Sequence, residues 1–176
     1  RPVAKKAVKR ATKHRRAPPP IPPLTRDGLP NVQSAAVLVA DLDTGEELFT
    51  KAAGAVRPIA SVGKLFVALT VRDKKLPLDG ETIITEEDRR FAQGGARSRM
   101  LVGKAFTNRD LLRAMLIASD NRAVTALGRA VGLSPEGLVA AVNEKARQLG
   151  LKRTRFTDPT GIHGNVSTTR EVMVAL

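Results

Sequence analysis

Residues 57–73 read RPIASVGKLFVALTVRD, and this stretch decides the fold because it sets a serine and a lysine at the start of one apolar helix. Apolar residues recur at helical spacing after Lys64, which predicts a mostly buried helix. Ser61 and Lys64 are three residues apart, and residues at that spacing share a helix face. A serine beside a lysine is a known arrangement for nucleophilic catalysis.

A lysine can take the proton of a neighbouring hydroxyl only while it is neutral. Burial among Leu65, Phe66 and Val67, together with nearby positive charge, is expected to lower the pKa of Lys64. The N-terminal end of the helix also directs backbone donors towards Ser61, which favours an oxyanion there. The alternative interpretation is that Ser61 is a plain helix cap.

A second polar group, Ser119-Asp120-Asn121, interrupts the helical pattern of NRDLLRAMLIASDNRAV at residues 108–124. Taken alone, S-x-x-K and S-x-N are each weak motifs, and residues 119–121 could be an ordinary break between helices. Their joint occurrence in one short chain favours a shared catalytic site.

The flanking segments predict small strands and capped helices. Residues 34–53, SAAVLVADLDTGEELFTKAA, alternate and turn in the manner of a β-hairpin. Further helices are expected after four N-cap residues, the last of which forms a capping box with Glu171: Thr85, Thr107, Ser134 and Thr168. The acidic run at 86–88 is interpreted as a solvated helix start, and Asp158 and His163 as turn residues.

This layout predicts part of a larger α+β domain. A two-stranded hairpin is a marginal sheet, so the apolar helices need further strands to cover them. The last helical pattern has only begun when the sequence reaches Leu176. We therefore expect the chain to be a fragment.

Charge and composition separate residues 1–30 from residues 31–176. The net charge of the chain is +13, and residues 1–26 contribute nine basic residues and no acidic one. The same segment contains the proline-rich stretch APPPIPP at 17–23. We expect 1–30 to be a disordered basic, Pro-rich tail and linker, and 31–176 to be the folded domain. The tail is either a solvated linker or a means of adhering to an anionic wall or membrane surface.

Composition also limits the chemistry. The chain has no cysteine, and its two histidines are far apart in the sequence. The sequence therefore offers few ligands for a zinc site and little support for a Ser-His-Asp triad. No metal or cofactor is expected. Five phenylalanines and no tryptophan or tyrosine weigh against base stacking, so no specific nucleic-acid partner is expected.

Three stretches resemble the low-molecular-mass penicillin-binding proteins, which are serine D-alanyl-D-alanine carboxypeptidases and endopeptidases. They are residues 57–73, residues 108–124 and RQLGLKRTRFTDPTGIHGNVSTTREV at 147–172. The resemblance implies a β-lactamase/transpeptidase-like α+β fold, an antiparallel sheet with a helical subdomain. It also implies a periplasmic or other extracytoplasmic location, peptidoglycan peptide stems as substrates and β-lactams as inhibitors. The Ser98-Arg99 pair and the SDN motif are most similar to the endopeptidase branch.

The resemblance also implies roles for the site residues. Ser61 would attack the D-alanyl carbonyl, and Lys64 would take its proton. Ser119 would relay that proton to the leaving group, and Asn121 would hold Lys64 and the substrate amide. The role of Asp120 is less defined, because this position varies between branches.

The sequence departs from the family pattern in two ways. The K-T-G motif is absent, which implies that this chain alone is inactive. Gly63 stands where threonine is usual, and glycine in a helix costs about 1 kcal/mol relative to alanine, so a looser nucleophile turn is expected.

Two other interpretations stay open. A class A β-lactamase shares both motifs but needs a general-base glutamate, and residues 151–161, LKRTRFTDPTG, contain none. The other interpretation is a non-catalytic relative that binds peptidoglycan and whose basic tail adheres to the wall or membrane.

Overall fold

The computed structural model describes residues 22–176, so most of the predicted basic tail lies outside the described residues. Residues 22–34 and residues 35–176 belong to separate compact units. In the first unit, a backbone bridge joins Leu24 and Pro30 around a turn closed by Thr25. The second unit contains every helix and strand named below.

Six α-helices form the body of the second unit, and a 3₁₀ turn over Ala60–Gly63 precedes the first of them. The helices are α1 (Lys64–Asp73), α2 (Glu86–Phe91), α3 (Asn108–Ile117), α4 (Arg122–Ala130), α5 (Pro135–Gln148) and α6 (Thr169–Met173). Helix α4 packs against α1, α2, α3 and α5. Its side chains Val124 and Leu127 are fully buried, which places it at the centre of the core.

Six short strands pair into three two-stranded antiparallel ladders. The strands are β1 (Val37–Ala40), β2 (Glu47–Lys51), β3 (Arg57–Pro58), β4 (Glu81–Ile83), β5 (Ala105–Thr107) and β6 (Val166–Ser167). The predicted hairpin is confirmed by the pairing of β1 with β2. The β3–β6 and β4–β5 ladders were not predicted, because their strands are too short to show an alternating pattern.

The hairpin turn is organised by the carboxylate of Asp41. Asp41 Oδ1 accepts hydrogen bonds from the backbone amide of Asp43 and from the amide and hydroxyl of Thr44. These bonds, chiefly those from Thr44, lower the pKa of Asp41 below its usual value. Gly45 completes the turn at φ +73°, a conformation that glycine adopts without strain.

Three predicted N-caps are confirmed by side-chain to backbone hydrogen bonds. Thr85 accepts from Asp88, Thr107 from Asp110 and Ser134 from Gly137. Each bond satisfies a donor that the first helical turn leaves without an intrahelical partner.

The fourth predicted cap is only half correct. Thr168 accepts a hydrogen bond from the Glu171 amide at 3.0 Å, as a capping box requires. The Glu171 carboxylate, however, accepts from the amides of Lys152 and Arg153 and from the Thr154 hydroxyl. This glutamate therefore ties α6 to the segment after α5 instead of closing its own box.

The interpretation of residues 86–88 as a solvated run is wrong for Asp88. Its side chain is fully buried and accepts hydrogen bonds from Thr125 Oγ1 at 2.7 Å and Arg129 Nη2 at 2.6 Å. It also accepts from the backbone amide of Thr85 at 2.7 Å. Asp88 therefore joins α2 to α4, while Glu86 and Glu87 form exposed pairs with Arg89 and Arg90.

Candidate active site

Ser61 lies in the 3₁₀ turn, one residue after Ala60, whose φ of +45° bends the chain sharply. The entrance to this turn is fixed by the β3–β6 ladder and by the hydrogen bond from Ile59 N to Asn165 O, 3.1 Å long. Ser61 is exposed, whereas Lys64, the first residue of α1, is only 2% exposed. The turn therefore presents a hydroxyl to solvent directly above a buried ammonium group.

The ammonium group of Lys64 brings the four predicted site residues together. Lys64 Nζ lies 3.3 Å from Ser61 Oγ and 2.9 Å from Ser119 Oγ. It also donates to Asn121 Oδ1 at 2.6 Å and to the backbone carbonyl of Ser119 at 2.7 Å. Two residues more than fifty positions away in sequence therefore hold the lysine beside the serine.

The pKa of Lys64 is lowered from 10.5 to about 8, and the largest cause is burial. Burial removes water from the charged form and so favours the neutral amine. The carboxylates of Asp120 and Asp158 act in the opposite direction and raise the pKa. The expectation that nearby positive charge would help to lower this pKa is wrong, because the charges that act on Lys64 are negative.

Residues 119–121 form the link between α3 and α4. Ser119 has φ +55°, a conformation that costs a non-glycine residue about 1–2 kcal/mol. This conformation accompanies the placement of both its carbonyl and its hydroxyl on Lys64. Asn121 is 4% exposed, so its amide oxygen meets the ammonium group away from solvent.

Asp120 has a structural position in this link. Its Oδ1 accepts from the amides of Arg122 and Ala123 at the start of α4, at 2.9 and 3.3 Å. Its Oδ2 accepts from Ser98 Oγ at 2.6 Å. The carboxylate therefore caps α4 and holds the loop that precedes β5, while its charge acts on Lys64 from a distance.

The loop over residues 156–165 lies against the 3₁₀ turn at Ala60–Gly63, which we call the nucleophile turn. The carboxylate of Asp158 organises this loop. The Asp158 carboxylate accepts from Thr160 Oγ1 at 2.8 Å and from the amide of Ile162 at 2.7 Å. It also accepts from the amide of His163 at 3.2 Å, so the prediction that Asp158 and His163 are turn residues is confirmed. The sequence did not predict that Asp158 raises the pKa of Lys64. The local sequence shows only an aspartate two residues before a threonine, which does not indicate this effect.

Two glycines allow this loop and the nucleophile turn to touch. A Cβ on Gly161 would lie 2.4 Å from the carbonyl oxygen of Ala60 and 3.0 Å from the amide of Ser61. A Cβ on Gly63 would lie 3.0 Å from the ring of Phe156. The absence of a side chain at Gly63 therefore lets a buried aromatic ring pack directly against the turn that carries Ser61.

This geometry supplies the parts of a serine–lysine hydrolase site. It contains an exposed hydroxyl, a buried amine with a lowered pKa and two further side chains that fix the amine. Within residues 22–176, no cluster of three or more histidine, cysteine, aspartate or glutamate side chains could hold a metal ion. Over the same residues, no helix is long and apolar enough to cross a membrane.

Comparison with known proteins identifies the family. The model of the D-alanyl-D-alanine carboxypeptidase family matches residues 24–176. The D-alanyl-D-alanine endopeptidase of Pseudomonas aeruginosa is 39% identical over 89% of this chain and 50% of its own length. The D-alanyl-D-alanine endopeptidase of Escherichia coli is 34% identical over 81% of this chain and 46% of its own length.

A solved structure supports the same assignment. The D-alanyl-D-alanine carboxypeptidase of Mycobacterium tuberculosis aligns with a TM-score of 0.71 and 30% identity, over 80% of this chain and 53% of that one. The chain belongs to the D-alanyl-D-alanine carboxypeptidase family, which confirms the resemblance and the α+β fold drawn from the sequence. It spans about half the length of the curated relatives it matches.

Proposed function

We propose that this chain carries the nucleophile and the general base of a serine peptidase that cleaves D-alanyl peptide bonds of peptidoglycan. The observation that carries the proposal is the 3.3 Å contact between Ser61 Oγ and a buried Lys64 whose pKa is lowered to about 8. At pH 7 a group with that pKa is neutral in about a tenth of the molecules, against far fewer for an ordinary lysine. A general base of this kind contributes about 10²–10⁴-fold to the rate.

The four site residues have distinct roles in the reaction. Ser61 Oγ attacks the D-alanyl carbonyl carbon as its proton passes to Lys64 Nζ. The C–N bond then breaks, and the departing amine receives that proton through the Ser119 hydroxyl. Asn121 keeps the amine of Lys64 in place, and its amide group contacts the substrate.

The acyl-enzyme is an ester between Ser61 and the D-alanyl carbonyl. Water adds to this carbonyl, the ester C–O bond breaks and Ser61 regains a proton. A β-lactam would acylate Ser61 in the same way, because its ring amide presents the same kind of carbonyl to the hydroxyl.

The relatives support the proposed substrate and location. Two of them are D-alanyl-D-alanine endopeptidases, which favours cleavage of cross-links over trimming of free stems. Because peptidoglycan lies outside the cytoplasmic membrane, we place the enzyme in the periplasm or an equivalent extracytoplasmic space. The peptidase matches favour this function over the β-lactamase and the non-catalytic wall-binding interpretations.

The basic tail has a proposed partner of its own. Residues 1–26 contain nine basic residues and no acidic one, so they are suited to bind an anionic wall polymer or membrane surface. This segment would hold the peptidase near its insoluble substrate.

Intact mass spectrometry of the full-length natural protein with and without penicillin tests the proposed activity. We expect a gain of one drug mass on the peptide that contains Ser61, and no gain in Ser61→Ala. Lys64→Ala should bind penicillin but acylate about 10²–10⁴-fold more slowly. Labelling that persists in Ser61→Ala, or a wild-type protein that takes up no drug, would contradict the proposal.

A further inference from the structure

The loop that precedes β5 lies directly on the Ser119–Asn121 link. Ser98 Oγ donates to Asp120 Oδ2 at 2.6 Å and accepts from the amide of Met100 at 3.1 Å. A Cβ on Gly95 would lie only 2.0 Å from Asn121 Nδ2, so the loop backbone presses against that amide group. These contacts hold the loop backbone beside the Ser119–Asn121 link.

A cavity of about 360 Å³ opens between this loop and the end of α3. Ser119 and Asp120 form one side of the cavity, and Arg97 and Arg99 line another. The remaining lining includes three alanines, whose small side chains leave room for a ligand group: Ala96, Ala114 and Ala118. Ser119, which lines this cavity, also accepts a hydrogen bond from Lys64, and Lys64 in turn contacts Ser61.

The two arginines give this cavity a positive charge. Both are exposed, and neither side chain has a hydrogen-bond or ion-pair partner within residues 22–176. The Asp120 carboxylate does not neutralise them by contact, because its oxygens accept from Ser98 and from the first amides of α4. Arginine recognises carboxylates with two parallel hydrogen bonds, so this pair is suited to an anionic ligand group.

We propose that Arg97 and Arg99 bind a carboxylate of the departing peptide and so select substrates that carry one. The inference deepens the proposed function and rests on it, because the ligand is the peptide whose bond Ser61 breaks. Ser119 passes the proton to the departing amine, so the cavity beside Ser119 lies on the departing side. The enzyme would then cleave cross-links with a free carboxylate on that strand faster than cross-links in which this group is an amide.

Two synthetic cross-linked peptides test this with the full-length protein. They are identical except that one carboxylate, on the departing strand beyond the residue that bears the departing amine, is a carboxamide in the second peptide. The double variant Arg97→Gln/Arg99→Gln should lose about tenfold or more in kcat/KM on the carboxylate peptide. Its kcat/KM on the carboxamide peptide and its rate of acylation by penicillin should match those of the wild type.

Arg113→Gln is the matched control, because Arg113 is an exposed arginine on α3 that pairs with Asp110 and does not line this cavity. It should leave kcat/KM unchanged on both peptides. An equal loss on both peptides in the double variant, or no loss on the carboxylate peptide, would overturn the inference while the penicillin result still supports the peptidase. A wild-type protein that is not acylated by penicillin would overturn the proposed function and this inference with it.

Discussion

At the scale of the residue, the proposed reaction depends on the protonation state of one lysine. Lys64 is buried, yet two carboxylates oppose the effect of burial on its pKa. The result is a pKa of about 8, close enough to neutrality for the group to accept a proton and return it. A lysine in water, with its pKa near 10.4, would be almost wholly charged and unable to act as a base.

The pH dependence of acylation follows from this pKa. The neutral form of Lys64 grows as pH rises, so the rate of penicillin acylation should increase about fivefold from pH 7 to pH 8 and level off above pH 9. Stopped-flow measurement of acylation across this range checks the profile. The exposed lysine variant Lys74→Gln should give the same profile, and a rate that does not change with pH would contradict the assignment of Lys64 as the base.

The contribution of Asp120 to this pKa can be measured separately. Its charge raises the pKa of Lys64, so Asp120→Asn should lower that pKa and move the acylation profile to lower pH. In Asp120→Asn, the amide oxygen can still accept from the first amides of α4, and the amide nitrogen can donate to Ser98 Oγ, which keeps the local structure. A profile that moves to higher pH would show that the electrostatic effect of Asp120 has been assigned the wrong sign.

At the scale of the element, the 156–165 loop acts as a support for the nucleophile turn. Gly161 has φ +85° and lies so close to Ala60 that no Cβ fits. The Phe156 ring is 4% exposed and packs against Phe66 with ring centroids 5.2 Å apart. The position of Ser61 is therefore set partly by a loop that is distant from it in sequence.

Substitution of Gly161 tests this support. Gly161→Ala should push the Ala60–Ser61 backbone and slow acylation by about 10²-fold, because small displacements of reacting groups have large effects. Gly132→Ala is the matched control, since Gly132 also has positive φ, +76°, but no atom lies within 4 Å of its Cβ position. Both variants carry similar backbone strain, so equal acylation rates in the two would contradict the supporting role.

The contact of Asp88 on α2 with Thr125 and Arg129 on α4 gives a second prediction at this scale. Asp88→Ala removes a buried carboxylate that bonds Thr125 and Arg129, and should lower the free energy of unfolding by about 3–5 kcal/mol. Urea denaturation of the full-length protein measures this change. Glu86→Ala removes an exposed carboxylate from the same helix and should cost less than about 1 kcal/mol. Similar decreases in the free energy of unfolding in the two variants would show that the buried contacts of Asp88 add no more stability than an exposed ion pair.

The sequence predicted those features whose signals are local. Thr85, Thr107 and Ser134 were found as caps because a cap needs only its own helix turn. The contact between Ser61 and Lys64 was predicted because residues three apart at a helix start lie on one face. The burial of Asp88 and the contact at Gly161 were missed, because each depends on a partner that only tertiary packing brings near.

At the scale of the whole molecule, most of the net positive charge and the candidate active site lie in different parts of the chain. Nine basic residues lie in residues 1–26, which leaves only +4 of the net +13 for residues 27–176. The ammonium group at the site is buried and held by short hydrogen bonds, so salt screens it little. Binding to an anionic surface and acylation should therefore respond differently to ionic strength.

Co-sedimentation with vesicles tests this separation. The full-length protein should sediment with vesicles of phosphatidylglycerol and phosphatidylcholine at low salt, and release as salt rises. A variant that lacks residues 1–26 should not sediment but should be acylated by penicillin at the wild-type rate. Substitution of four exposed arginines of the folded unit by glutamine is the control and should leave sedimentation intact: Arg89, Arg90, Arg109 and Arg113. If that control releases the protein and the deletion does not, the anionic surface is bound by the folded unit and the tail is only a linker.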